Sequence, residues 1–311
     1  MMSDYLLKNG KVLLFQPNKD KIDVTIEEKE ILVQKGKIVK IETIIEKNQY
    51  PNAEVIDATN CVIMPGLINT HAHIPMSLFR ESTEGCKLYD WLENKIWPQE
   101  DKLTEEDVYY ASMLSFIEMI STGTTCINDQ YFLQDAIRKA AEDMGVRAVL
   151  TRTVIGEKEE AEKRIAEFRK FYETRDKQND LITYTVAPHS LYTCSPEALQ
   201  MTADLAKELN LPIHVHFLES VDEIEDIKQK QGEKASKVLK KYFDGIHTIL
   251  AHAVHLDDED IAILKTMDCG IAHNPVSNLR LGCTIADTTK YLQNNLNVAL
   301  RNRWTRFTVA I

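Results

Sequence analysis

From Val62 onward the chain alternates short apolar, β-branched runs with polar or amphipathic stretches of helical period, and that alternation limits its fold. Its strand-like runs are Cys61–Asn69, Thr124–Asn128, Val146–Thr151, Ile182–Ala187, Ile213–Phe217, Thr248–Ala251, Gly270–His273 and Asn297–Leu300. The helices between them carry their own punctuation. Thr104-Glu105-Glu106-Asp107 is a capping box opening a helix to about Thr122, with Gly123 as its stop. A second helix ends before Gly145, a charged one covers Glu157–Thr174, and Ser195-Pro196 supplies an N-cap with proline at the first helical position. Eight βα units favour a (β/α)8 TIM-type barrel over an open doubly wound sheet. The absence of a G-x-G-x-x-G or P-loop motif weighs against a nucleotide-cofactor fold.

The start of the chain has a different texture. Tyr5–Phe15, Ile22–Thr25, Glu30–Val33 and Lys37–Ile45 read as short strands broken at Asn9-Gly10 and Lys35-Gly36. Residues 1–57 are therefore expected to form part of a small β-sandwich, and residues 58–311 the barrel.

A net charge of −11 argues against nucleic acid or an anionic membrane as the main partner. No apolar run has transmembrane length, and the first residues lack a signal-peptide pattern. The six cysteines (Cys61, Cys86, Cys126, Cys194, Cys269, Cys283) are scattered, as reduced thiols of a cytoplasmic protein would be. A homo-oligomer is left open.

Histidines collect where the strands end. Thr70-His71-Ala72-His73 closes the first barrel strand, and histidines at i and i+2 share a face about 7 Å apart along the backbone, so both can grip one metal ion. His189 follows strand four, His214 and His216 lie on strand five, and His252 and His273 end strands six and seven. The C-terminal strand ends are where barrel enzymes carry their catalytic groups.

These residues carry a resemblance. Val62–His73 resembles the first-strand signature of the amidohydrolase superfamily. Asp90–Glu93, Ile96–Glu100, Ala187–Ser190 and His273–Asn278 are similar to the 5′-methylthioadenosine/S-adenosylhomocysteine deaminase branch, beside the s-triazine chlorohydrolases. The resemblance implies a metal-dependent hydrolase barrel with one Zn²⁺ per subunit, or Fe²⁺ on the same donors. His71 and His73 would be ligands. Either strand-five histidine could reach in, and His216-Phe217-Leu218-Glu219 matches the family's H-x-x-E, which assigns His216 as the third ligand and leaves His214 behind it. No strand-four lysine suits a carbamate bridge to a second metal.

The implied reaction is attack of an activated water on C6 of adenine with loss of ammonia. Glu219 would move the protons and also touch substrate, and His252 would orient the water. Glu100 would bind the ribose hydroxyls, His189 the nucleoside, and Arg152 with Arg164 the homocysteine carboxylate. A surface acid beside Asp101 and a solvated helix face compete as readings of Glu100 and Arg164. Related hydrolases of guanine, a pterin or a triazine remain alternatives, as does an inactive chain.

That last alternative comes from the end of the sequence. The family's eighth strand is expected to finish Gly-Thr-Asp-Gly, its aspartate a fourth ligand, whereas Leu300 is followed by Arg301-Asn302-Arg303-Trp304. Arg-Asn-Arg-Trp can be coded AGG-AAC-AGA-TGG, which without its first base and with the first base of the Thr305 codon reads Gly-Thr-Asp-Gly, so a one-base frameshift at about Arg301 is expected. The chain as written would then lack the end of strand eight, the last helix and the C-terminal sandwich strands.

Overall fold

The computed structural model describes residues 3–18, 21–80 and 85–300, and divides the chain into two compact units, Met1–Gly66 and Leu67–Ile311. Residues 301–311, on which the frameshift reading falls, lie outside the described residues.

In the first unit Tyr5–Phe15 splits at the anticipated turn, where Asn9 is left-handed at φ 63°. Gly10 is required beside it, because a Cβ there would meet Ile63 and Ala58 side chains at 2.7 and 2.9 Å. The strands are β1 (Tyr5–Lys8), β2 (Lys11–Asn18), β3 (Lys21–Glu28), β4 (Glu30–Gln34), β5 (Lys37–Glu42), β6 (Glu54–Asp57) and β7 (Val62–Ile63). They form two sheets, ordered β5-β4-β1-β6 and β3-β2-β7, with Leu6, Leu32, Ile45 and Ala53 as an apolar centre. Strand β7 corrects one expectation. Val62–Ile63 pairs with Lys11–Val12 of this unit, so the run from Cys61 to Asn69 serves two units, and their boundary falls at Gly66 rather than at residue 57.

The second unit is a TIM-type barrel. Its parallel strands are β8 (Leu67–Ala72), β9 (Thr124–Asp129), β10 (Arg147–Leu150), β11 (Thr153–Val154), β12 (Ile182–Tyr184), β13 (Ala187–Pro188), β14 (Ile213–Phe217), β15 (Thr248–His252), β16 (Cys269–His273) and β17 (Asn297–Leu300). Four run side by side as β8-β9-β10-β12, four as β14-β15-β16-β17, and β11 pairs with β13. The amide of His214 bonds to the Val186 carbonyl and that of His216 to the His189 carbonyl, which joins strand four to strand five.

The helices follow their sequence signals. A short pair, α1 (Leu88–Trp91) and α2 (Trp97–Glu100), flanks a wide turn over Leu92–Ile96. Helix α3 (Glu105–Ser121) starts at the Thr104/Asp107 capping box. Then come α4 (Gln134–Met144), α5 (Lys158–Glu173), α6 (Pro196–Leu209) capped by Ser195, α7 (Val221–Gln231), α8 (Ala235–Phe243), α9 (Asp258–Leu264), α10 (Pro275–Arg280) and α11 (Thr288–Gln293). Strands buried on both faces explain the near-continuous apolar runs: every residue of Ile213–Phe217 is buried. No helix among the described residues is long and apolar enough to cross a membrane.

Candidate active site

Parallel strands bring their C-terminal ends to one end of the barrel, and the strand-end histidines meet there. The His71 ring lies 4.8 Å from those of His73 and His216, 5.0 Å from His214 and 5.2 Å from His252, centroid to centroid. His71 and His214 are fully buried, His252 is 1% and His216 6% exposed. Burial, reinforced by the neighbouring rings, holds His71 well below the usual imidazole pKa and takes His214 to about 3. Neutral imidazoles are the form that binds a metal.

Hydrogen bonds decide which nitrogens face inward. His73 Nδ1 lies 2.6 Å from the Gln130 carbonyl, and His216 Nδ1 2.7 Å from the His189 carbonyl. A carbonyl only accepts, so both Nδ1 atoms carry the proton and both Nε2 atoms carry a lone pair. Those two Nε2 atoms stand 3.2 Å apart. Two facing lone pairs repel, and a cation between them removes the repulsion. His71 adds a buried Nε2 with no hydrogen-bond partner, while its Nδ1 lies 2.9 Å from His214 Nε2. The donor set thus fits a divalent ion such as zinc. His71, His216 and His252 offer nitrogens within 4.8 Å of one another, a trio holding His252 where the sequence reading has His73.

The proton-carrying candidates sit against this cluster. Glu219, 6% exposed, places Oε1 3.1 Å from His252 Nδ1, and the same nitrogen donates to Asn278 Oδ1 at 2.7 Å. Beside them opens a cavity of about 500 Å³ lined by His73, His189, His216, Glu219 and His252. Glu100, Trp91, Arg152 and Arg164 line the same cavity. The structure thus brings every sequence-named site residue except His71 to the cavity wall, with His71 buried among the histidines. His214 lies behind His71, and His255 and His273 are not on the wall. Burial pushes the Glu100 carboxyl up to about 7, partly offset by the neighbouring Tyr131 hydroxyl. Arg152 pairs with Glu167 at 2.8 Å and Arg164 with Glu160 at 2.6 Å.

Sequence reasoning missed several supporting residues. Asp129 ends β9 and accepts the Ile74 amide at 2.6 Å, fixing the chain just past His73. Gln130 and Asn278 orient ligand-like rings. Glu223, 1% exposed, accepts the amides of Leu218 and Glu219. The polar pair Asn128-Asp129 at a strand end was the available signal for Asp129.

Comparison with known proteins bears on the family and the fold. The chain is 42% identical over 280 residues to a 5′-deoxyadenosine deaminase of Methanococcus maripaludis, covering 88% of this chain and 66% of that protein. It is also 42% identical over 299 residues to a 5-methylthioadenosine/S-adenosylhomocysteine deaminase of Carboxydothermus hydrogenoformans, covering 95% and 67%. The chain thus spans about two thirds of the length of these curated relatives. A crystal structure of an adenosine deaminase from Xanthomonas campestris with bound zinc superimposes with a TM-score of 0.82 at 25% identity, covering 96% of this chain and 68% of that one. The amidohydrolase family model matches residues 62–301. On the barrel, the strand-end histidines and this match, the chain belongs to the amidohydrolase family.

Proposed function

We propose that the chain is a metal-dependent, cytoplasmic aminohydrolase of adenine nucleosides altered at C5′, converting S-adenosylhomocysteine, 5′-methylthioadenosine or 5′-deoxyadenosine to the inosine analogue and ammonia. The observation that carries this reading is the Glu219–His252 contact of 3.1 Å beside facing histidine lone pairs, on the wall of a cavity shared by an acid and two arginines.

His71, His73 and His216 would hold one zinc ion. Bound there, it supplies Lewis acidity and lowers the pKa of water toward ~7. The remaining work falls to side chains. Glu219 takes a proton from the attacking water and passes it to ring N1 as the C6–O bond forms. It then carries the proton of the new C6 hydroxyl to the exocyclic nitrogen, which leaves as ammonia when the C6–N bond breaks and the C6 carbonyl forms. His252 orients the water and steadies developing charge. Glu100 accepts from the ribose hydroxyls, His189 contacts the nucleoside, and Arg152 and Arg164 receive a carboxylate at the far end of a C5′ substituent.

The test is ammonia release from S-adenosylhomocysteine, 5′-methylthioadenosine, 5′-deoxyadenosine, adenosine and guanine under identical conditions with zinc supplied. Turnover of the adenine nucleosides and none of guanine is expected. Preference for guanine would replace this reading with that of a base aminohydrolase.

A further inference from the structure

One buried carboxylate, Glu223, reaches the cavity wall and is built into the turn that carries Glu219. Strand β14 ends at Phe217, and the chain reverses through Leu218, whose φ of 47° is a left-handed conformation that a leucine adopts at a cost. Glu219 follows, then Ser220 caps α7 by accepting the Glu223 amide at 3.3 Å. In a capping box the acid at the third helical position reaches back to the N-cap amide. Glu223 occupies that position but reaches further. Its Oε1 accepts the Leu218 amide at 2.8 Å and its Oε2 the Glu219 amide at 2.7 Å. The other face of the turn is tied to the residues just after β15, since the Leu218 carbonyl accepts the Val254 amide at 2.9 Å and the Phe217 carbonyl the Ala253 amide at 2.8 Å.

We infer that Glu223 is a positioning residue that sets the Glu219 carboxylate against His252 by holding the left-handed Leu218–Glu219 turn through both of its amides. The inference rests on the reading of Glu219 as proton carrier. A carboxylate accepting two adjacent amides fixes the two peptide planes on either side of Leu218, and with them its left-handed φ and ψ, so the Cα–Cβ direction of Glu219 is set by α7 as well as by β14. A proton carrier must lie within hydrogen-bond reach of its water, and a shift of the order of 1 Å can cost ~10²-fold in rate. Removing the Glu223 carboxylate takes away the acceptor that each of these amides has in a buried turn, which is costly.

Two variants separate positioning from general damage. Glu223→Gln keeps the shape and one acceptor oxygen, and Glu223→Ala removes both. In the full 311-residue protein, Glu223→Ala is expected to lower kcat on 5′-methylthioadenosine by about 10²-fold, with KM and bound zinc unchanged within twofold. Glu223→Gln should lose less. Because the effect runs through Glu219, the Glu219→Gln/Glu223→Ala double variant should be no slower than Glu219→Gln alone. Additive losses in that cycle, or full turnover by Glu223→Ala, would overturn the inference.

Hydrogen exchange reads the clamp without turnover. The Leu218 and Glu219 amides should be protected in the parent chain and exchange faster in both variants. Equal exchange in parent and Glu223→Ala would overturn the inference even in an active enzyme. Should the parent release ammonia from no nucleoside, the functional reading fails, and the exchange result still decides whether the clamp exists.

Discussion

The floor and the mouth of the cavity are built on opposite plans. At the floor each ring is locked from behind: His73 by the Gln130 carbonyl, His216 by the His189 carbonyl, His252 by Asn278. These contacts come from barrel strands or the segments just after them; Gln130, His216, His252 and Asn278 are almost wholly withdrawn from water, and His73 and His189 are partly buried. At the mouth, Arg152 and Arg164 rest on Glu167 and Glu160, whose side chains are 42% and 40% exposed. A floor locked by buried, mutually dependent contacts has one working arrangement, whereas a mouth of exchangeable, half-solvated pairs can retune. Substitutions should therefore be all-or-none at the floor and graded at the mouth.

The sharpest break in this contrast would come from the two strand-five histidines. His216→Ala should abolish both bound zinc and turnover, measured by elemental analysis and ammonia release. His214→Ala removes only the partner behind His71, and the loss expected there is about 10–100-fold in metal affinity. Full zinc occupancy in His216→Ala with loss in His214→Ala would reverse the assignment. Next in size is Glu219→Gln, which should keep zinc and lower kcat by ~10²–10⁴-fold. Near-normal turnover in that variant would remove Glu219 from the mechanism.

The same division separates what the sequence disclosed from what it hid. The histidines were legible because strand periodicity puts His71 with His73, and His214 with His216, on common faces, and because a parallel barrel gathers its strand ends. The Thr104 capping box and the Ser195-Pro196 start were legible for a local reason, since each bond spans a few residues. Gln130 escaped because it acts through its backbone carbonyl, which any residue would supply. Glu223 escaped because an acid in the first turn of a helix is ordinary, and only the left-handed Leu218 brings two further amides to it. The split of Cys61–Asn69 between two units was hidden because an apolar run does not say which neighbour it pairs with.

Glu100 stands between floor and mouth and gives a pH-dependent test. Burial raises its carboxyl to about 7, so it is protonated below that pH and charged above it. The charged form is the better acceptor for two ribose hydroxyls. The ratio of kcat/KM for 5′-methylthioadenosine to that for free adenine should rise between pH 6 and pH 8, because taking the ratio cancels the groups that act on the ring. Glu100→Gln should flatten that rise and cost nucleosides about 10-fold while sparing adenine. Equal losses on both would end the ribose assignment.

The smallest effect is expected at the arginines, for a reason visible in the ion pairs. Each guanidinium already holds a carboxylate of its own chain, so a substrate carboxylate exchanges one partner for another. The net gain is the difference between two similar contacts, of the order of 1 kcal/mol, or about fivefold. Arg152→Ala or Arg164→Ala should therefore lower kcat/KM for S-adenosylhomocysteine by roughly fivefold to 10-fold and leave 5′-methylthioadenosine within twofold. The converse substitution is more telling. Glu160→Ala or Glu167→Ala frees a guanidinium that lines the cavity, and KM for S-adenosylhomocysteine should fall while that for 5′-methylthioadenosine stays put. If removing the glutamates raises both KM values alike, the pairs hold the mouth in shape instead of competing with substrate, and the contrast between a locked floor and an exchangeable mouth is lost.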